Sequence, residues 1–137
     1  MSTKNLSKLT LLKKGETNYP TTPEEAKLER FENANASRNY WIEFETAEFT
    51  SLCPITGQPD FATIQIRYIP DQWCIESKSL KLYLFSFRQI GTFYEEIVNR
   101  IYSDLEKELQ PRRLIVTGYF TARGGITSTV SIDSDET

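Results

Sequence analysis

The chain has 137 residues, the length of one ordinary domain, and with 39% hydrophobic and 26% charged residues it has enough apolar side chains for a packed core. A net charge of −3 argues against a general nucleic-acid binder, which presents a basic face, although a small anionic ligand needs only a few local cations. There is no histidine, which removes the commonest general base and metal ligand and every Ser–His or Cys–His dyad, and the two cysteines, Cys53 and Cys74, make no disulfide framework.

Met1 to Leu12 lack the apolar run of a signal peptide, and no apolar stretch reaches the length of a membrane span, so a cytoplasmic setting is expected. Residues 1–36 are polar, with Lys4, Lys8, Lys13 and Lys14, and read as a loosely held arm. Within it Thr22-Pro23-Glu24-Glu25 has the form of a helix start running through Lys27 to Phe31; a tail ordered only against a neighbour is the equal alternative. Residues 37–133 make the folded domain and 134–137 an acidic tail expected to fray.

In the domain, Trp41-Ile42-Glu43-Phe44-Glu45 alternates as a strand does, Thr50 to Asp60 reads as a loop, and Phe61 to Ile69 is a β-branched and aromatic second strand. Leu80, Tyr83, Leu84 and Phe87 share a helical face. Phe93, Ile97, Ile101, Leu105 and Leu109 recur every fourth residue in a second helix, which Gly91 separates from the first and Pro111 stops. Leu114 to Thr121 and Ile126 to Ile132 are strands joined by an Arg123-Gly124-Gly125 turn. The order ββααββ predicts an α+β fold, a four-stranded antiparallel sheet with two helices on one face. Its other face is left uncovered, which predicts burial by oligomerisation.

Cys53 lies in a loop stiffened by Pro54 and Pro59, with Asp60 close enough in sequence to fold back on it; thiol plus carboxylate suits a nucleophile with a proton carrier. An inert buried cysteine fits the same residues, and is the reading taken for Cys74 between Trp73 and Ile75. On the first helix Lys78, Lys81 and Arg88 would share a face, as a phosphate-bearing ligand requires and as an ordinary solvated face also does. Glu95, in the first turn of the second helix, is favoured there by the helix dipole and has the shape to accept two parallel bonds from a guanine-like edge. Metal chemistry is unsupported, and there is no glycine-rich phosphate loop.

Taken together these segments resemble the QueF family in its short single-domain form, over about residues 31–126. The resemblance rests on Glu48-Phe49-Thr50-Ser51-Leu52-Cys53-Pro54, on Gly57-Gln58-Pro59-Asp60-Phe61-Ala62-Thr63, and on Glu76 to Arg88, which looks like the family's NADPH motif. It implies the tunnelling fold shared with GTP cyclohydrolase I. It also implies a reductase that converts 7-cyano-7-deazaguanine to its aminomethyl form with two NADPH, for queuosine in tRNA.

By the same resemblance Cys53 is the nucleophile that forms a thioimide, and Asp60 supplies the proton. Glu95 anchors the deazaguanine, with Tyr94, Glu76 and Ser77 also at the substrate, and Lys78, Lys81 and Arg123 hold NADPH. No metal is implied, the partner is a small deazapurine nitrile without direct contact to nucleic acid or membrane, and the assembly is a homodecamer of two stacked pentameric rings. Two positions depart from the pattern: Tyr94 stands where members commonly have histidine, and Ile97 where some have a second cysteine. The alternatives are an amidinotransferase branch of the superfamily acting on nitrile-bearing tRNA, which lacks the NADPH motif, and a non-catalytic nucleobase-binding module.

Overall fold

A computed structural model describes residues 19–137. The expectations placed on Met1 to Leu12, and on the lysines up to Lys14, lie outside the described residues. The elements are β1 (Arg30–Glu32), β2 (Ile42–Leu52), β3 (Pro59–Ile69), β4 (Trp73–Ile75), α1 (Ser77–Phe85), α2 (Tyr94–Leu109), β5 (Arg113–Arg123) and β6 (Ile126–Asp133). β2, β3, β5 and β6 form an antiparallel sheet in that order. The ββααββ frame is therefore present, an α+β fold with its helices packed on one sheet face.

The core follows from period-two burial on the strands and period-four burial on α2. Ala62, Ile64, Ile66 and Tyr68 of β3 and Leu114, Val116 and Phe120 of β5 meet Ile97, Val98, Ile101, Leu105 and Leu109 of α2. α1 adds Leu80 and Tyr83, and Phe87 follows beyond its end. Gly118 is the point of closest approach: a Cβ there would lie 2.8 Å from both Val98 Cγ2 and Phe120 Cε2. Gly118→Ala is expected to lower stability by about 1–3 kcal/mol through overpacking. Urea denaturation would show this as a lower midpoint with an unchanged slope.

Two irregularities in the ladder aim the site. Thr46 pairs with Ile64 but Phe49 with Ala62, so one extra residue is accommodated on β2. Ile42 and Phe44 face the helices before this bulge; after it the phase is reversed, and Phe49 and Ser51 do. A second bulge falls on β5, where Phe120 pairs with Ser128 but Arg123 with Ile126. It turns Arg123, in place of Ala122, toward the face that carries Phe120. Gly124 and Gly125, at φ of 57° and 79°, form the two-residue turn that follows.

The structure corrects three expectations. Thr22 to Glu25 make a turn, no helix runs through Phe31, and Phe31 instead sits in β1, paired with Cys74 of β4 in a separate two-stranded sheet. Strands β2 and β3 extend into the expected 50–60 loop, leaving only residues 53–58 outside them. The C-terminal residues do not fray: Arg113 holds Asp133 at 2.9 Å, and Asp133 caps a 3₁₀ turn over Ser134–Glu136. In each case backbone pairing or a cap that polar composition does not advertise supplies the order.

The sheet face away from the helices is mainly polar, with Phe61 and Tyr119 exposed on it. Gln65 donates to Glu43 at 3.0 Å, Arg67 pairs with Glu43 at 3.6 Å, and the hydroxyls of Thr117 and Ser131 lie 2.9 Å apart. Among the described residues no helix is long and apolar enough to cross a membrane.

Candidate active site

The short loop between β2 and β3 is closed by Cys53 N–H donating to the Gln58 carbonyl at 2.8 Å and Gly57 N–H to the Cys53 carbonyl at 2.9 Å. Gly57, at φ 72°, makes the reversal. A second segment buttresses the loop: Leu52 N–H donates to Ile90 and Thr92 N–H to Leu52, so residues 90–92 run beside the strand end. Gly91 therefore does more than separate the helices, since it lies against the backbone of Cys53 and Pro54.

Cys53 is half-buried and carries a free thiol. The Thr56 hydroxyl, followed by the backbone N–H groups of Thr56 and Ile55, holds this thiol below its ordinary pKa, against smaller opposing effects of burial and then of the Asp60 charge. Cys74 differs: it is buried, and burial pushes its thiol up. The two cysteines thus differ in setting, Cys53 half-buried with its thiol held low and Cys74 buried with its thiol pushed up.

Asp60 is buried at 5% exposure, with its backbone carbonyl held by the Thr50 hydroxyl at 2.8 Å. Its Oδ1 accepts from two donors, Arg123 Nε and the Tyr94 hydroxyl, the latter at 3.1 Å. Arg123 is fixed in turn by the Gln58 side chain at 3.2 Å and the Pro59 carbonyl at 2.8 Å. Both donors converge on Oδ1, and Oδ2 accepts from no donor among the described residues. Tyr94 stacks on Phe120 with ring centroids 4.1 Å apart and planes 20° apart. Burial, then donation to Asp60, raises its pKa, so the phenol stays a donor.

Cys53, Asp60, Tyr94 and Arg123 are thus brought together at one end of the sheet. Glu95 is next to them, exposed in the first turn of α2. The resemblance places Arg123 with Lys78 and Lys81 at NADPH; in the structure Arg123 pairs with Asp60, and Lys81 lines a cavity.

That cavity, of about 370 Å³, lies between β2 and α1. Phe44, Phe49, Leu80 and Phe85 give it an apolar lining, Ser77, Lys81 and Arg88 add polar and cationic groups, and Glu45 and Glu48 of β2 add two carboxylates. Arg88 is stacked on Phe85, its guanidinium 4.1 Å from the ring centroid. A flat ring joined to phosphates is the chemistry this lining suits, so the residues present fit part of a nicotinamide dinucleotide. Lys78 is half-buried and not among the lining residues. Glu76 is buried, and its two carboxylate oxygens accept from Lys78 N and Ser79 N, each at 2.7 Å. Its evident task is to cap α1 and so set Ser77 at the cavity.

Thr56, Gln58 and Phe120 were not singled out in the sequence. The Cys-Pro-Ile-Thr-Gly run carries a turn signal that points to Thr56, and Gln58 closes the same loop; Phe120 reaches the site only through strand register, which no local signal encodes.

The sequence model of the QueF-like protein family matches residues 59–137. The chain belongs to this family. It is 56% identical over 126 residues to the NADPH-dependent 7-cyano-7-deazaguanine reductase of Streptococcus mutans, covering 92% of this chain and 78% of that protein. It is 57% identical over 110 residues to the enzyme of the same name from Pelodictyon phaeoclathratiforme, covering 80% and 95%. Among solved structures, the archaeosine synthase QueF-Like in its apo form superposes with a TM-score of 0.64 at 21% identity, over 69% of this chain and 92% of that one. At that identity the likeness supports the fold, the tunnelling fold expected from the sequence.

Proposed function

We propose that this QueF-like chain is an NADPH-dependent nitrile reductase that converts 7-cyano-7-deazaguanine to 7-aminomethyl-7-deazaguanine, in the route to queuosine. The observation that carries the chemistry is the pairing of an activated Cys53 thiol with a buried Asp60 whose Oδ1 is already held by Arg123 and Tyr94. The relatives' shared name supplies substrate and cofactor.

Cys53 sulfur adds to the nitrile carbon. The Cys53 thiol gives its proton to Asp60 Oδ2, the carbon–sulfur bond forms as one π pair of the nitrile moves to nitrogen, and nitrogen takes that proton from Oδ2, giving a thioimide. NADPH, when bound, supplies a hydride for each of the two reductions from nitrile to amine. Ser77, Lys81 and Arg88 would hold it at the β2–α1 cavity, with Lys78 at the start of the same helix. The exposed Glu95 carboxylate accepts from the deazaguanine edge. Tyr94 keeps Asp60 oriented rather than touching the ring. Mixing the protein with the nitrile in the absence of NADPH should add the mass of the nitrile to Cys53 and leave Cys74 bare. An unmodified protein, or an adduct on Cys74, would overturn the assignment.

The functional particle is a homo-oligomer, a decamer of two stacked rings. The uncovered polar sheet face and the exposed Phe61, Phe93, Tyr119 and Ile126 support this reading, as surface that assembly would bury. Sedimentation should show a single large species; an active monomer would refute it.

A further inference from the structure

Ser51 is the buried polar group the chemistry above does not use. It lies on β2, wholly shielded from solvent, and its hydroxyl has no hydrogen-bond partner among the described residues. Such groups are rare, because burial removes a hydroxyl from water and the lost bond goes uncompensated. Alanine at this position would fill the strand without that cost.

The placement of Ser51 is specific. It is the cross-strand partner of Asp60, on the helix-facing side, because the β2 bulge reverses the phase of the strand just before it. Opposite residues on one face of an antiparallel pair have Cβ atoms about 5 Å apart. Arg123 and Tyr94 occupy Oδ1 of that carboxyl, and Oδ2 accepts from no donor among the described residues. An unpartnered hydroxyl is therefore carried by the residue directly across the strand pair from a carboxyl with one oxygen still open to a donor.

We propose that Ser51 is a positioning residue for proton transfer from Asp60, its hydroxyl engaging Oδ2 as the carboxyl gives up its proton. This rests on the reductase reading. As sulfur bonds to the nitrile carbon, the Asp60 O–H breaks, the proton goes to the nitrile nitrogen, and the electron pair stays on Oδ2, where the Ser51 O–H donates to it. The bond is absent in the resting state and made as charge develops, which is the condition for an interaction to raise the rate rather than merely tighten binding.

The test compares wild type, Ser51→Ala and Ser51→Thr, reading thermal midpoint, nitrile affinity and the pH-dependent rate of thioimide formation without NADPH. Ser51→Ala should fold with an unchanged or higher midpoint and bind nitrile as before. It should form the adduct roughly tenfold more slowly, with a displaced pH profile, and Ser51→Thr should recover the rate. Adduct formation in Ser51→Ala within twofold of wild type overturns the role of Ser51 while leaving the reductase reading intact. So does a lowered midpoint with weakened nitrile binding, the mark of a packing role. No adduct on the wild type overturns the reductase reading and this inference with it.

Discussion

Cys53→Ala is expected to abolish both the adduct and turnover, a loss of roughly 10⁴-fold or more on the scale of nucleophile deletions. No other described thiol can substitute: Cys74 is buried and its thiol is pushed up by that burial. The pH dependence is equally specific. The reactive form is the thiolate, and the Thr56 hydroxyl with two loop N–H groups holds the Cys53 thiol low. Alkylation of Cys53 by iodoacetamide should therefore rise with pH through a midpoint below that of an ordinary thiol, and Thr56→Val should move the midpoint upward. Turnover surviving in Cys53→Ala would exclude covalent catalysis.

Asp60→Asn should lower turnover by about 10²–10⁴-fold, the usual contribution of a positioned general acid. The amide is close to isosteric, and its carbonyl oxygen can still accept from Arg123 and Tyr94, so the site should persist. It has no proton to give to the nitrile nitrogen, so the loss should appear in the adduct-forming step measured by stopped mixing and mass analysis, with nitrile affinity little changed. An adduct formed by Asp60→Asn at the wild-type rate would assign the proton to another group.

The helical stripe on α2 and the β-branched run in β3 were legible because period and composition agree there. The loop of the proposed nucleophile was legible as a motif, Cys53 through Asp60. What the sequence did not disclose is how these residues come to share one face. Alternation from Trp41 to Glu45 breaks at Ala47 and Glu48, which reads as the end of a strand; the strand in fact continues through a bulge, and only then does Ser51 fall beside Asp60. A second bulge does the same for Arg123, which the resemblance grouped with the helix lysines and which in the structure pairs with Asp60. A bulge is a pairing event between distant segments, and local pattern cannot register it.

Tyr94 is instructive for the same reason. Read as a substitute for histidine, its two readings were substrate orientation and inert packing. It does pack, on Phe120, but its hydroxyl reaches back to Asp60 at 3.1 Å. A phenol there stays protonated and donates, so it can hold the acid in place without titrating near neutrality. The β1–β4 pairing was missed because three-residue strands carry too little pattern to stand out from a polar arm.

The most direct measurement is the stoichiometry of NADPH oxidation against nitrile consumed, read by absorbance with the product identified by mass. Reduction of a nitrile to an aminomethyl group requires two hydrides. Two NADPH oxidised per 7-cyano-7-deazaguanine, with 7-aminomethyl-7-deazaguanine as product, is the expected result. Nitrile left intact in the presence of NADPH, or consumed without NADPH oxidation, would contradict a reductase.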